Sequence, residues 1–133
     1  MSDGEMATIF TKIIRGEIPC YKIAEDENYF AFLDINPLAE GHTLVVPKKE
    51  IDYLFDLEDR DLAGMMVFAK KVAARIREAV PCQRIGVAVI GLDVPHAHIH
   101  LVPLREGGDL DFSRPKLKLS PEEFQTIQSK IRF

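Results

Sequence analysis

Residues 96–101 read His-Ala-His-Ile-His-Leu, a strict alternation of imidazole and apolar side chain. Successive side chains of a β-strand point to opposite faces, so this pattern places His96, His98 and His100 on one face and Ala97, Ile99 and Leu101 on the other. The apolar face needs a layer to cover it, and a helix of suitable length is available. Between about Leu57 or Glu58 and Ala79, residues Leu62, Met65, Met66, Ala69, Val72, Ala73 and Ile76 recur at helical spacing. A sheet with one polar, histidine-bearing face and one face under a long helix is the architecture that the chain has to satisfy.

The remaining segments supply the rest of that sheet. Thr8 to Arg15 has the apolar spacing of a helix, stopped by Gly16. Cys20–Glu25 and Tyr29–Leu33 flank the turn Asp26-Glu27-Asn28 and read as a hairpin, and Thr43–Val46 reads as a buried strand stopped by Pro47. Arg84–Ile90 and Val94–Leu104 form a second hairpin around Gly91-Leu92-Asp93. Ser120-Pro121-Glu122-Glu123 starts a helix over about 120–132, with Phe124, Ile127, Ile131 and Phe133 available to dock it. The expected fold is α+β: a five-stranded antiparallel sheet with a long helix and short terminal helices. Residues 1–6 read as a flexible leader or a cloning remnant ahead of a single domain over 7–133.

The net charge of −4 argues against non-specific nucleic-acid binding, which needs a basic face. No apolar run approaches the roughly 18 residues of a membrane span. Cys20 and Cys82 form no Cys-x-x-Cys and read as reduced thiols, so a cytoplasmic setting is expected.

A row of imidazoles can serve two chemistries. Neighbours in the row lie about 6.7 Å apart and the outer pair about 13 Å, so all three cannot share one metal ion. Two can, with a third ligand such as Asp93 or His42. Anion chemistry uses the row more fully. A central imidazole whose Nδ1–H is held by a carbonyl presents a bare Nε2 to phosphorus, while a neighbour donates to phosphate oxygens. His98 is the expected nucleophile, and no metal or other cofactor is required. Taken alone, Asp34 reads as a turn residue or a diol acceptor, Phe10, Phe32 and Ile35 as core, and His42 as a loop histidine.

These residues carry a resemblance. His96-Ala97-His98-Ile99-His100-Leu101-Val102 is similar to the histidine-triad motif. So are Phe10–Pro19, Ala31–Pro37 and Gly41–Lys48 to the segments that precede it, so that residues 7–104 match in order. The chain resembles the HINT-like branch of the histidine-triad (HIT) superfamily. The resemblance implies that His98 forms a nucleotidyl-histidine intermediate. It implies that His100 contacts the α-phosphate and leaving group, that His96 supports, and that His42 buttresses the triad. It further implies that Asp34 accepts from ribose hydroxyls, that Phe10, Ile18, Phe32 and Ile35 clamp the base, and that the chain pairs as a homodimer. The expected ligand is a purine nucleotide such as AMP or GMP, and the expected reaction hydrolysis of a nucleoside phosphoramidate. Dinucleoside polyphosphate hydrolysis, nucleotidyl transfer and non-catalytic nucleotide binding are the alternatives. The sequence departs from the family at three places. Thr8 and Thr11 stand where many bacterial relatives have a zinc-binding Cys-x-x-Cys. Asp93 stands where the family has a serine or threonine facing the leaving group, and the loop before the triad is short. The tail after Leu104 is longer than in minimal members.

Overall fold

A computed structural model of the chain describes residues 7–133, so the expected leader over 1–6 lies outside the described residues. The elements follow as α1 (Ile9–Ile14), β1 (Lys22–Glu25), β2 (Tyr29–Leu33), β3 (Thr43–Pro47), α2 (Asp59–Ala79), β4 (Arg84–Ala88), β5 (Ile99–Leu104) and α3 (Pro121–Ile131). Single turns of 3₁₀ helix occur at Leu54–Asp56 and Gly107–Leu110. The strands form one antiparallel sheet in the order β1-β2-β3-β5-β4. The α+β expectation describes this architecture correctly.

The sheet is covered on both faces. Ala31, Leu33, Val45, Ala97, Ile99 and Leu101 pack under α2 and α3, against Met65, Phe68, Ala69, Val72, Ile76, Phe124, Ile127 and Ile131. Phe30, Phe32, Leu44 and Val46 point the other way and are capped by Phe10 and Ile13 of α1. The alternation of residues 96–101 is thus resolved as expected, with the apolar members in the larger core. On α2 the buried stripe includes Phe68, whereas Met66 is half exposed, because the helix turns its Met65 edge toward the sheet.

The second hairpin is shorter than expected. β4 ends at Ala88 instead of Ile90, and β5 begins at Ile99 instead of Val94. The last rungs are Ala88↔His100 and Val45↔Ile99. Before them the chain leaves the sheet: His96 N–H donates to Val94 O at 2.8 Å and Ala97 N–H to Ile51 O at 2.7 Å. Residues 89–95 therefore form a loop, and His96 and His98 lie just ahead of the strand. Among the described residues no helix is long and apolar enough to cross a membrane.

Local sequence explains how the pieces are held. Thr8 caps α1 by accepting Thr11 N–H, and Gly16, at φ 80°, lets the chain turn away after it. Gly41 is also at positive φ (91°), and a Cβ there would meet Val80 at 3.0 Å. That turn brings His42 directly to the start of β3. Ser120 and Glu123 form a reciprocal capping box on α3. Arg75 of α2 ties the other end of α3, donating to the carbonyls of Ile131 and Arg132 and lying over the Phe133 ring.

Candidate active site

On the α1 side of the sheet lies a cleft of about 550 Å³. Phe10, Ile13, Ile18 and Phe32 form its apolar wall, with Ile35 largely exposed at its mouth. Asp34 lies on the loop after β2, and Ile90 to Val94, including the exposed Asp93, form the rim. His98 and His100 reach the floor. The expected base-clamp, ribose and rim residues thus converge on one cavity with two of the three histidines of residues 96–100. His96 is different. It is fully buried behind Phe10 and contributes nothing to the cleft lining. All three imidazoles lie on the α1 side, His100 on β5 and His96 and His98 on its approach, but only His98 and His100 meet the cavity.

Hydrogen bonding fixes the proton on each ring. His98 Nδ1 lies 2.7 Å from His96 O, and a carbonyl only accepts, so Nδ1 carries the proton and Nε2 is bare. His42 Nδ1 accepts Leu38 N–H at 3.0 Å, so its proton sits on Nε2 and is donated to His100 Nδ1 at 3.0 Å. His100 must then carry its proton on Nε2. No buried polar side-chain atom among the described residues lacks a partner. The Nε2 atoms of His98 and His100 make no hydrogen bond to the described residues, and both rings line the cleft. With ring centroids 5.1 Å apart, they present a lone pair and an N–H donor side by side. This pairing can attack an electrophilic centre while stabilising charge on its oxygens.

Asp34 completes the polar set. Its Oδ1 accepts Asn36 N–H at 2.8 Å, and its Oδ2 lies 3.5 Å from His42 Nε2. The carboxylate is accept-only and suited to a diol. Burial pushes its pKa up. Burial pushes His42 down to about 3, aided by His100, and pushes His100 down to about 4, aided by His98. Both rings are neutral at pH 7, which the hydrogen-bond chain requires.

That neutrality has a measurable consequence. Between their ordinary value near 6.5 and these depressed values, the unfolded histidines bind protons that the folded ones do not. Stability therefore falls as pH drops through that window and is constant with respect to these groups above it. The raised Asp34 works in the opposite sense at the acid end. Urea midpoints measured from pH 8 to 4.5 are expected to be level to about pH 6.5 and then to decline.

Two clusters bear on metal binding. Ligand atoms of Asp34, His42 and His100 lie within 4.8 Å of one another. A metal on His42 Nε2 would drive its proton to Nδ1, where it would face the Leu38 N–H, donor against donor. Near α1, Thr8 Oγ1 lies 2.7 Å from His96 Nδ1, and Glu50 Oε1 accepts Thr8 N–H and the Thr11 hydroxyl, each at 2.7 Å. Neutral hydroxyls in place of thiolates are poor zinc ligands, and these already use their protons in hydrogen bonds. Neither donor set fits a resident metal.

The structure adds residues that sequence reasoning missed. Phe112 packs edge-on against His100 (4.7 Å between centroids) and His42 (6.0 Å). Lys116 lines the same wall and is anchored by donating to the Phe112 and Arg114 carbonyls. Leu117 N–H docks on Pro37 O, bringing the tail beside the Asp34 loop. A lone phenylalanine in a polar tail carries no periodicity, so no local signal marked it.

Comparison with known proteins bears on this arrangement. The family model for the HIT domain matches residues 15–107. The adenosine 5′-monophosphoramidase of Schizosaccharomyces pombe is 35% identical, with 95% of this chain and 96% of that protein covered. Among solved structures, a Hit-like protein from Bartonella henselae aligns with TM-score 0.81 at 33% identity, covering 95% of each chain. A zinc-bound histidine triad family protein from Mycobacterium smegmatis aligns with TM-score 0.80 at 31% identity, covering 96% and 95%.

Proposed function

The chain belongs to the HIT family, and on that premise we propose that it hydrolyses purine nucleoside phosphoramidates at the α-phosphate through a covalent intermediate on His98. The observation that carries this reading is the bare Nε2 of His98 beside the Nε2–H of His100, at the floor of a cleft with an apolar wall and a carboxylate at one side. The S. pombe relative named a monophosphoramidase supports the choice of substrate class.

In the proposed reaction the purine lies between Ile18, Phe32, Phe10 and Ile35, and Asp34 accepts from the ribose hydroxyls. His98 Nε2 attacks phosphorus, the P–N bond breaks, and the amine leaves with a proton drawn from solvent at the open mouth. His96 O holds His98 Nδ1–H while the ring becomes cationic, and His100 Nε2–H donates to a phosphate oxygen as charge builds. Water then attacks phosphorus, the P–Nε2 bond breaks, AMP or GMP departs, the proton of the water returns to solvent, and the ring is restored. No step requires a metal.

Purified protein incubated with adenosine phosphoramidate is expected to release AMP. Replacing Asp34 by alanine is expected to raise KM by about 10- to 100-fold with a much smaller change in kcat, because the lost hydrogen bonds hold the ribose in ground and transition states alike.

The reading includes a homodimer. β4 is an edge strand that exposes Val87, and α2, which packs against β4, exposes Met66 and Val67. It also includes cytoplasmic residence, which the free thiols Cys20 and Cys82 suit.

A further inference from the structure

His96 takes no direct part in the cleft, yet it is the most firmly held of the three histidines of residues 96–100. Its Nε2–H donates to Pro47 O at 2.8 Å, which obliges Nδ1 to accept. The acceptor's partner is Thr8 Oγ1 at 2.7 Å. Thr8 is itself constrained. Its Oγ1 accepts Thr11 N–H at 3.1 Å, and of the two acceptors within reach of its one hydroxyl proton, His96 Nδ1 at 2.7 Å is much nearer than Thr11 Oγ1 at 3.3 Å. Its backbone N–H and the Thr11 hydroxyl converge on a single oxygen of Glu50, 42 and 39 residues away in sequence. The ring of His96 is thereby clamped at both nitrogens. The carbonyl of the same residue is the acceptor that keeps the proton on His98 Nδ1. Phe10, in the first turn of the helix that Thr8 caps, lies edge-on to both His96 and His98, at 5.7 and 5.0 Å.

We propose that Thr8, Thr11 and Glu50 are positioning residues for His98, acting through the clamped His96 to aim its carbonyl at His98 Nδ1 and keep Nε2 bare. The inference rests on the phosphoramidase reading for its kinetic form, but the tautomer of His98 tests it without that reading. A purely structural role would loosen α1, move Phe10 and Ile13 in the cleft wall and raise KM. A positioning role lowers kcat, because a nucleophile aimed loosely loses attack geometry while substrate still binds.

The experiment compares wild type with Thr8→Val, Thr8→Ser and Glu50→Ala, using adenosine phosphoramidate kinetics and nitrogen-15 NMR of the imidazoles. Thr8→Val is expected to lower kcat by about 10- to 100-fold with KM changed by less than about 3-fold. Thr8→Ser restores kcat, and Glu50→Ala lowers it in the same direction but less. In wild type His98 shows one tautomer, protonated at Nδ1, and in Thr8→Val a mixture. Should Thr8→Val fail to fold, the exposed Glu50→Ala carries the test. Unchanged kcat in the folded variants, or a loss confined to KM, overturns the proposal. If wild type releases no AMP, the functional reading fails instead. The NMR then decides alone: a His98 still wholly Nδ1-protonated in the variants overturns the positioning role.

Discussion

Replacing His98 with alanine is expected to abolish AMP release from adenosine phosphoramidate, a loss in kcat of at least about 10⁴-fold. The size follows from the role. The ring supplies the attacking lone pair, and no other group in the cleft has a bare, accessible nitrogen at the same place. His100 presents a proton there, because His42 occupies its Nδ1. A single water in the space vacated by His98 would have no base positioned to activate it. The fold survives the change, since the side chain makes one hydrogen bond, to its own strand's approach, and borders the cavity. Binding of AMP by calorimetry should therefore persist in the variant while turnover disappears. Equal turnover in the variant and wild type would remove His98 from the chemistry.

His42→Leu is expected to have the second-largest effect, and to show it in two ways. The imidazole is buried and bridges Leu38 N–H to His100 Nδ1. An apolar side chain of similar size leaves His100 Nδ1 unpaired in the interior, at a cost of about 1–3 kcal/mol, and strips the part-buried Leu38 N–H of its partner at a smaller further cost. The Tm should fall by roughly 10 °C, read by calorimetry at pH 7.5. His100, no longer obliged to accept at Nδ1, can place its proton there and turn an acceptor toward the phosphate. Loss of that donor is expected to lower kcat by about 10²-fold. The variant should also show a shallower decline of stability below pH 6.5, because one of the three histidines that burial depresses, His42, His96 and His100, is gone. A Tm and a kcat both close to wild type would mean that the His42–His100 bond is dispensable.

Features set by neighbours within a few residues could be read directly from the chain. The two-residue alternation at 96–101 revealed which side chains face α2, and the spacing of Ile9, Phe10, Ile13 and Ile14 revealed α1. Segment ends were less legible. The second hairpin is clipped because Ala97 N–H finds Ile51 O, a partner 46 residues earlier. Pro95 beside Val94 marks a break in the strand, but nothing local names Ile51 as the new partner. The site divides in the same way. His98 and His100 are two residues apart, and the pattern exposes them. His42 stands 58 residues from the ring that it orients, and by itself is a histidine after a glycine. The resemblance to the HIT family supplied its role, and the hydrogen-bond geometry supplies a physical reason. His96 illustrates a limit of face-level reasoning: pointing to the same side of the chain as His98 does not bring it to the same cavity, because Phe10 of α1 lies over it. Phe112 and Lys116 reach the cleft from a tail without periodicity. Thr8, Thr11 and Glu50 are joined only by the fold.

The central claim is that His98 Nε2 becomes bonded to the α-phosphorus. Enzyme mixed with adenosine phosphoramidate, quenched in alkali within the first turnover and digested for mass spectrometry, tests it directly. An adenylyl group on the peptide carrying His98, formed before free AMP accumulates and absent from His98→Ala, is the predicted result. AMP release with no adduct at any time, or an adduct residing on His100 or another side chain, would contradict it.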